Sequence, residues 1–147
     1  MSMSMFRWLG KKLGHNQVDP ETLELANLRL KDILDTHREW KEDLLNLLNN
    51  GDSQQIDLDW IKSDHYCTQG KWLYGPGQQF YRDFPEYKIA LESHAEFHQS
   101  ATHIVEAYQK GNKDIALGLL ETTFRHASNK NQQDLARLLS AVNNKLA

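Results

Sequence analysis

A single cysteine, Cys67, stands in a chain of 147 residues. One cysteine cannot close an internal disulfide, so nothing points to an oxidising compartment. No apolar run approaches the ~20 residues that a membrane-spanning helix needs. Near the N-terminus, Phe6, Trp8, Leu9 and Leu13 are interrupted by Arg7, Lys11 and Lys12, which excludes the continuous apolar region of a signal peptide. A concentrated basic field is missing as well. The formal net charge is −3 and the longest cationic run is Lys11-Lys12, which argues against a surface that tracks nucleic acid. Strand-like alternation and internal repeats are also lacking. These absences leave a cytoplasmic protein with no membrane span and no nucleic-acid partner as the expectation.

What is present is helical patterning on a scale that suits one domain. Residues 1–19 read as an N-terminal tail whose short basic segment, Phe6 to Leu13, packs loosely. The domain proper is expected over 20–147. Asp19-Pro20-Glu21 is a helix start, and apolar residues recur at helical spacing from Leu23 through Leu30, Ile33, Leu34, Trp40, Leu44, Leu47 and Leu48 to a stop at Asn50-Gly51. A short helix is expected over Ile56 to Tyr66, with Cys67 at its end. Gly75-Pro76-Gly77 then argues for an ordered loop pinned by aromatic rings. Asp83-Phe84-Pro85-Glu86 restarts a helix, with Asp83 and Glu86 at capping-box spacing, and that helix runs to Gly111-Asn112. A last helix begins near Asp114. The polar stretch from Ser128 to Asp134 reads either as an exposed helical turn or as a break. The fold class is all-α: an antiparallel four-helix bundle with a short additional helix carrying Cys67.

The chemistry concentrates between Cys67 and His98. His94 and His98 lie four residues apart, so a helix places both rings on one face. Thiolate and imidazole are good zinc donors, and zinc takes four ligands in a tetrahedron. Two enzyme patterns fail on the letters. A metalloprotease needs Glu directly after the first histidine, and Ala95 stands there. A carboxylate-bridged di-iron bundle needs paired Glu-x-x-His motifs, and neither Glu96 nor Glu121 has a histidine three residues on. His65 reads as exposed. His37 sits on the apolar stripe of the first long helix, where a lone histidine is more often a satisfied core residue than a ligand. Spacing alone leaves its role open, as it leaves open whether Asp35, Glu39 or Asp64 accepts the second N–H of a ligating imidazole.

The run Cys67-x-x-Gly70-Lys71-Trp72-Leu73-Tyr74-Gly75-x-Gly77-x-x-Phe80, followed by His94-x-x-x-His98 and preceded by His37-x-x-Trp40, resembles the chemoreceptor zinc-binding (CZB) domain family over about residues 25–140. The resemblance implies a metal set of His37, Cys67, His94 and His98, one Zn2+ per subunit, a closed coordination sphere and no catalytic role. It further implies a bacterial cytoplasmic homodimer in chemotaxis or cyclic-di-GMP signalling. Such a domain responds to zinc availability and to oxidation of the zinc-bound cysteine by hypochlorous acid. Its output lies either in a signalling partner acting in trans or in a fused output domain missing from this chain. One position departs from the family pattern: the residue two after the cysteine, usually apolar or aromatic, is Gln69. The competing reading is a structural zinc site in a protein–protein interaction scaffold, and an iron site is the more distant one.

Overall fold

A computed structural model describes residues 24–26, 28–50 and 58–146. The tail over 1–19 and the expected helix start at Asp19-Pro20-Glu21 lie outside the described residues. The described chain is an all-α helical bundle with one two-stranded ladder at its edge. Its elements are β1 (Glu24–Leu25), β2 (Leu28–Arg29), α1 (Leu30–Asn50), α2 (Leu58–Lys62), α3 (Thr68–Trp72), a π-type turn at Leu73–Gly77, α4 (Gln78–Tyr81), α5 (Pro85–Gln109), α6 (Lys113–Leu119), a second π-type turn at Leu120–Phe124, and α7 (Arg125–Leu146). The last three run on without a break as one rod. A second rod is α5, joined to the first by the short turn around Gly111, whose φ of +83° supplies the left-handed residue that ends a helix.

One expectation about the first long helix is corrected. It begins at Leu30, after the ladder, and does not run through Leu25 and Leu28, which fall off the stripe that such a helix would bury. Pairing Glu24–Leu25 with Leu28–Arg29 as an antiparallel ladder, Glu24 opposite Arg29 and Leu25 opposite Leu28, buries both leucines in the core instead. The Trp72 indole N–H donates to the Ala26 carbonyl at 3.2 Å, which ties the hairpin to the bundle. Packing of these two side chains overrides helix periodicity.

The glycine-rich segment is also different from the loop its letters suggest. Residues 68–81 stay helical on both sides of a kink, with the irregular dihedrals confined to Gly75 (φ −109°, ψ −108°). Pro76 lacks the N–H that a regular helix would use there, so the extra residue of a π-type turn absorbs it. Helix α5 begins at Pro85 with Phe84 at the cap and no side-chain capping bond, so the expected Asp83–Glu86 box does not form. Finally, Ser128 to Asp134 is continuous helix, neither an exposed turn nor a break.

The apolar core is divided. One cluster joins Leu25, Leu28, Leu30 and Ile33 to Trp72, Leu73, Tyr87, Ala90, Leu135, Leu138, Leu139 and Val142. The other joins Leu44, Leu47, Leu48 and Ile61 to Phe97, Ala101, Ile104, Val105, Ala116, Leu120 and Phe124. Along α1 the two are separated at His37, along α5 at Ser93 and His94, and along α7 at Ser128 to Gln132. A buried polar layer therefore crosses the bundle at mid-height, between two dry layers. Burying polar groups without partners is costly, so this layer has to be satisfied internally or by a ligand.

Candidate metal centre

Cys67 is the N-cap of α3, in extended backbone conformation, and its Sγ accepts from the Gly70 N–H at 3.3 Å. It therefore belongs to the start of α3 and not to the end of α2, which stops at Lys62. The turn from Asp64 to Gly70 is so tight that a Cβ on Gly70 would lie 1.9 Å from the Asp64 carbonyl oxygen. Glycine is needed here for close approach of backbone to backbone.

Opposite the cap, His94 and His98 project from one face of α5, both buried at 1% exposure. Their Nε2 atoms lie 3.2 and 3.4 Å from Cys67 Sγ. A zinc ion about 2.3 Å from sulfur and 2.0–2.1 Å from nitrogen, at tetrahedral angles, sets its sulfur and nitrogen ligands about 3.5 Å apart. Both sulfur–nitrogen separations thus fit edges of a zinc tetrahedron, and the three donor atoms all lie within 4.8 Å of one another. The tautomer fits as well. His98 Nδ1 donates to the Ile61 carbonyl at 2.8 Å, which leaves the lone pair on Nε2, turned to Cys67. His94 has a buried Nδ1 with no hydrogen-bond partner. An orphaned nitrogen is expensive in a merely packed histidine and is understandable in one held for a ligand.

His37 is placed differently. It is buried at 5% exposure, stacked on the Phe97 ring at 4.1 Å, and is not part of the three-donor group. Its Nδ1 lies 2.9 Å from Ser128 Oγ, and Asn131 Nδ2 donates to its Nε2 at 2.9 Å. His37, Cys67, Gln69 and His94 nevertheless line one small cavity, so the ring borders the same space as the thiol. Asp35 pairs with Arg38, and Asp64 accepts from the Tyr74 hydroxyl at 2.8 Å. The nitrogen of His98 that faces away from Cys67 is met by a backbone carbonyl instead. His65 is exposed as expected, stacked on Tyr74 at 3.7 Å. Ser128, Asn131 and Gln132 were missed as site neighbours. Their signal was the polar run itself, which reads as solvent-facing unless the opposing helix is known to carry a buried polar group.

The electrostatics suit a cation. Burial pushes His37 down to about 3, with Gln69 opposing and His98 adding to the push. Burial and the neighbouring His98 and His37 push His94 to about 3, and burial lowers His98 too. All three imidazoles are held neutral, the form that ligates. Burial raises the Cys67 thiol, opposed by the Gly70 N–H, so its proton stays on until a cation replaces it.

Residues 37–105 match the family model of the chemoreceptor zinc-binding domain, a span that opens on His37 and takes in Cys67, His94 and His98. Over residues 37–105 the chain is similar to a chemoreceptor zinc-binding domain. No curated protein and no solved structure gives a significant match to the chain. The CZB assignment and the three converging donors agree on a zinc-binding domain, with Cys67, His94 and His98 as the group that could hold the metal. Among the described residues no helix is long and apolar enough to cross a membrane.

Proposed function

We propose that this CZB domain is a cytoplasmic bacterial zinc sensor, in which His37 completes the site begun by Cys67, His94 and His98 and one Zn2+ binds per subunit. The observation that carries the reading is the split between three pre-placed donors and a fourth held aside by hydrogen bonds. A site built only for stability would gain from having all four donors in place. A site that must report zinc gains from a ligand whose capture moves something. With His37 engaged the sphere is full, so no position remains for a catalytic water, and the domain regulates and does not catalyse.

When bound, zinc supplies a cationic centre that keeps the Cys67 thiol deprotonated. Cys67 holds the α2–α3 turn, His94 and His98 hold α5, and His37 holds α1, so the metal state is read by three separate segments. A thiolate is also the oxidisable form of cysteine, which makes Cys67 the point at which hypochlorous acid acts on the same switch. The output passes to a chemotaxis or cyclic-di-GMP signalling partner. Trp60, Phe80, Ile89 and Ile115 remain exposed on the outer surface, apolar area available to a second copy, and a homodimer is part of the proposal.

The test is zinc affinity measured by chelator competition, together with hydrogen exchange with and without zinc. A sensor exchanges zinc with a moderate chelator and changes its exchange pattern around residues 58–81. Zinc retained against strong chelation, with identical exchange in both states, supports a structural site in an interaction scaffold instead.

A further inference from the structure

His37 is embedded in a set of amides whose arrangement ligand assignment does not explain. Gln69 and Asn131 are 2% and 0% exposed. Their side chains pair reciprocally: Gln69 Nε2 donates to Asn131 Oδ1 at 2.8 Å, and Asn131 Nδ2 donates to Gln69 Oε1 at 2.9 Å. The second proton on Asn131 Nδ2 goes to Nε2 of His37 at 2.9 Å. Across the ring, Nδ1 faces Ser128 Oγ at 2.9 Å, and Gln132 Nε2 donates to that same oxygen at 2.9 Å. Both ring nitrogens are thereby occupied. Asn131 in particular has both amide protons and its carbonyl oxygen engaged, so its orientation is set by Gln69 on one side and His37 on the other.

We propose that the Gln69–Asn131 amide pair is a competitor for the fourth zinc ligand: it holds the Nε2 lone pair of His37 in the metal-free protein and is displaced when that nitrogen takes zinc. The proposal rests on the reading of His37 as the fourth ligand. An amide N–H and a metal cation seek the same lone pair, and only one can have it. A small cavity bordered by His37, Cys67 and His94 lies beside the ring, on the side of the thiol. Gln69 keeps the competitor aimed, because without it the Asn131 amide is free to rotate away. The exchange also has a mechanical side. The His37–Asn131 bond joins α1 to α7, so zinc capture cuts a cross-helix tie in the middle of the bundle and passes the metal state to the longest rod. In this account the amide pair sets zinc affinity deliberately below that of a site whose four donors are all free.

The test compares the full chain with Asn131→Leu, Gln69→Leu and His37→Gln, titrated with Zn2+ alone against a chromophoric chelator. Loss of one competing hydrogen bond predicts that Asn131→Leu binds zinc roughly three- to tenfold more tightly than wild type, with Gln69→Leu shifted the same way by less. Unchanged or weaker binding in Asn131→Leu overturns the proposal, because a merely structural asparagine would loosen the site when removed. His37→Gln separates the two readings. Affinity equal to wild type there removes His37 from the ligand set and the proposal with it, whereas weakened affinity combined with no tightening in Asn131→Leu keeps the ligand and sinks the competitor. A second readout needs no variant. In the wild-type protein, NMR should show the Asn131 side-chain amide shifting and losing exchange protection as zinc is added. An Asn131 amide that is the same with and without zinc contradicts the exchange.

Discussion

At the scale of single residues, the centre is prepared for a cation by what burial does to four titratable groups. His37 and His94 are each held near 3 and are neutral at pH 6, His98 is lowered by burial, and the Cys67 thiol is raised and still protonated at pH 7. Zinc binding should therefore release close to one proton per ion at pH 7 and fewer than two at pH 6, measured by calorimetry in buffers of different ionisation enthalpy. Release of two or more protons at pH 6 would mean that the histidines are ordinary ones. The same shifts govern stability without metal. Each histidine has a folded pKa below its unfolded value of about 6.5, so the unfolded chain binds more protons between the two values, and stability falls as pH falls. The metal-free protein is expected to lose up to about 1.4 kcal/mol per pH unit for each of His37 and His94 as pH drops from about 6.5 toward 3, with His98 adding in the same direction. Denaturant unfolding at pH 7 and pH 5 checks this, and a stability unchanged across that interval would contradict it.

At the scale of elements, the α2–α3 turn is the piece on which the site depends. Gly70 brings its backbone against the Asp64 carbonyl and donates its N–H to Cys67 Sγ. Gly70→Ala should open this turn, destabilise the fold by about 1–3 kcal/mol and weaken zinc binding at the same time. Thermal unfolding and zinc titration of that variant would show it, and a Gly70→Ala protein with wild-type affinity would mean that the turn does not position the thiol. These elements also show what was legible in advance. The i, i+4 pair on α5 and the glycine stop at Gly111 could be read from the letters, because helical period and a left-handed residue are local properties. The hairpin at Leu25 and Leu28 could not, since only the core they enter explains it. Nor could the polar run of α7. Ser128, Asn131 and Gln132 look solvent-facing until His37 is placed across from them, and that placement is a tertiary fact. Gln69 was visible as a departure from the family pattern, but its partner, Asn131, was not. The ligand candidates themselves were legible as residue types, whereas the separation of His37 from the other three was not.

At the scale of the whole molecule, the polar layer lies between two dry layers and touches α1, α3, α5 and α7 together. That position lets one ion bias the packing of the bundle without the ion being needed for the apolar clusters to form. Zinc removal should leave the long rods folded and raise hydrogen exchange chiefly over residues 58–81. Equal change along α5 and the α6–α7 rod would instead indicate global dependence on the metal. The two dry clusters should hold the bundle in the metal-free state, and Phe97→Ala, which removes the ring that joins His37 to the cluster of Leu44, Leu47 and Ile61, should cost about 3–5 kcal/mol with or without zinc. The central claim is a zinc sphere of one sulfur and three imidazoles, closed by His37. X-ray absorption at the zinc edge of the loaded protein tests it most directly. The account predicts one sulfur at about 2.3 Å and three imidazole nitrogens at about 2.0–2.1 Å, with one imidazole lost in His37→Gln. A sphere of one sulfur and two imidazoles completed by water, unchanged in His37→Gln, would contradict it.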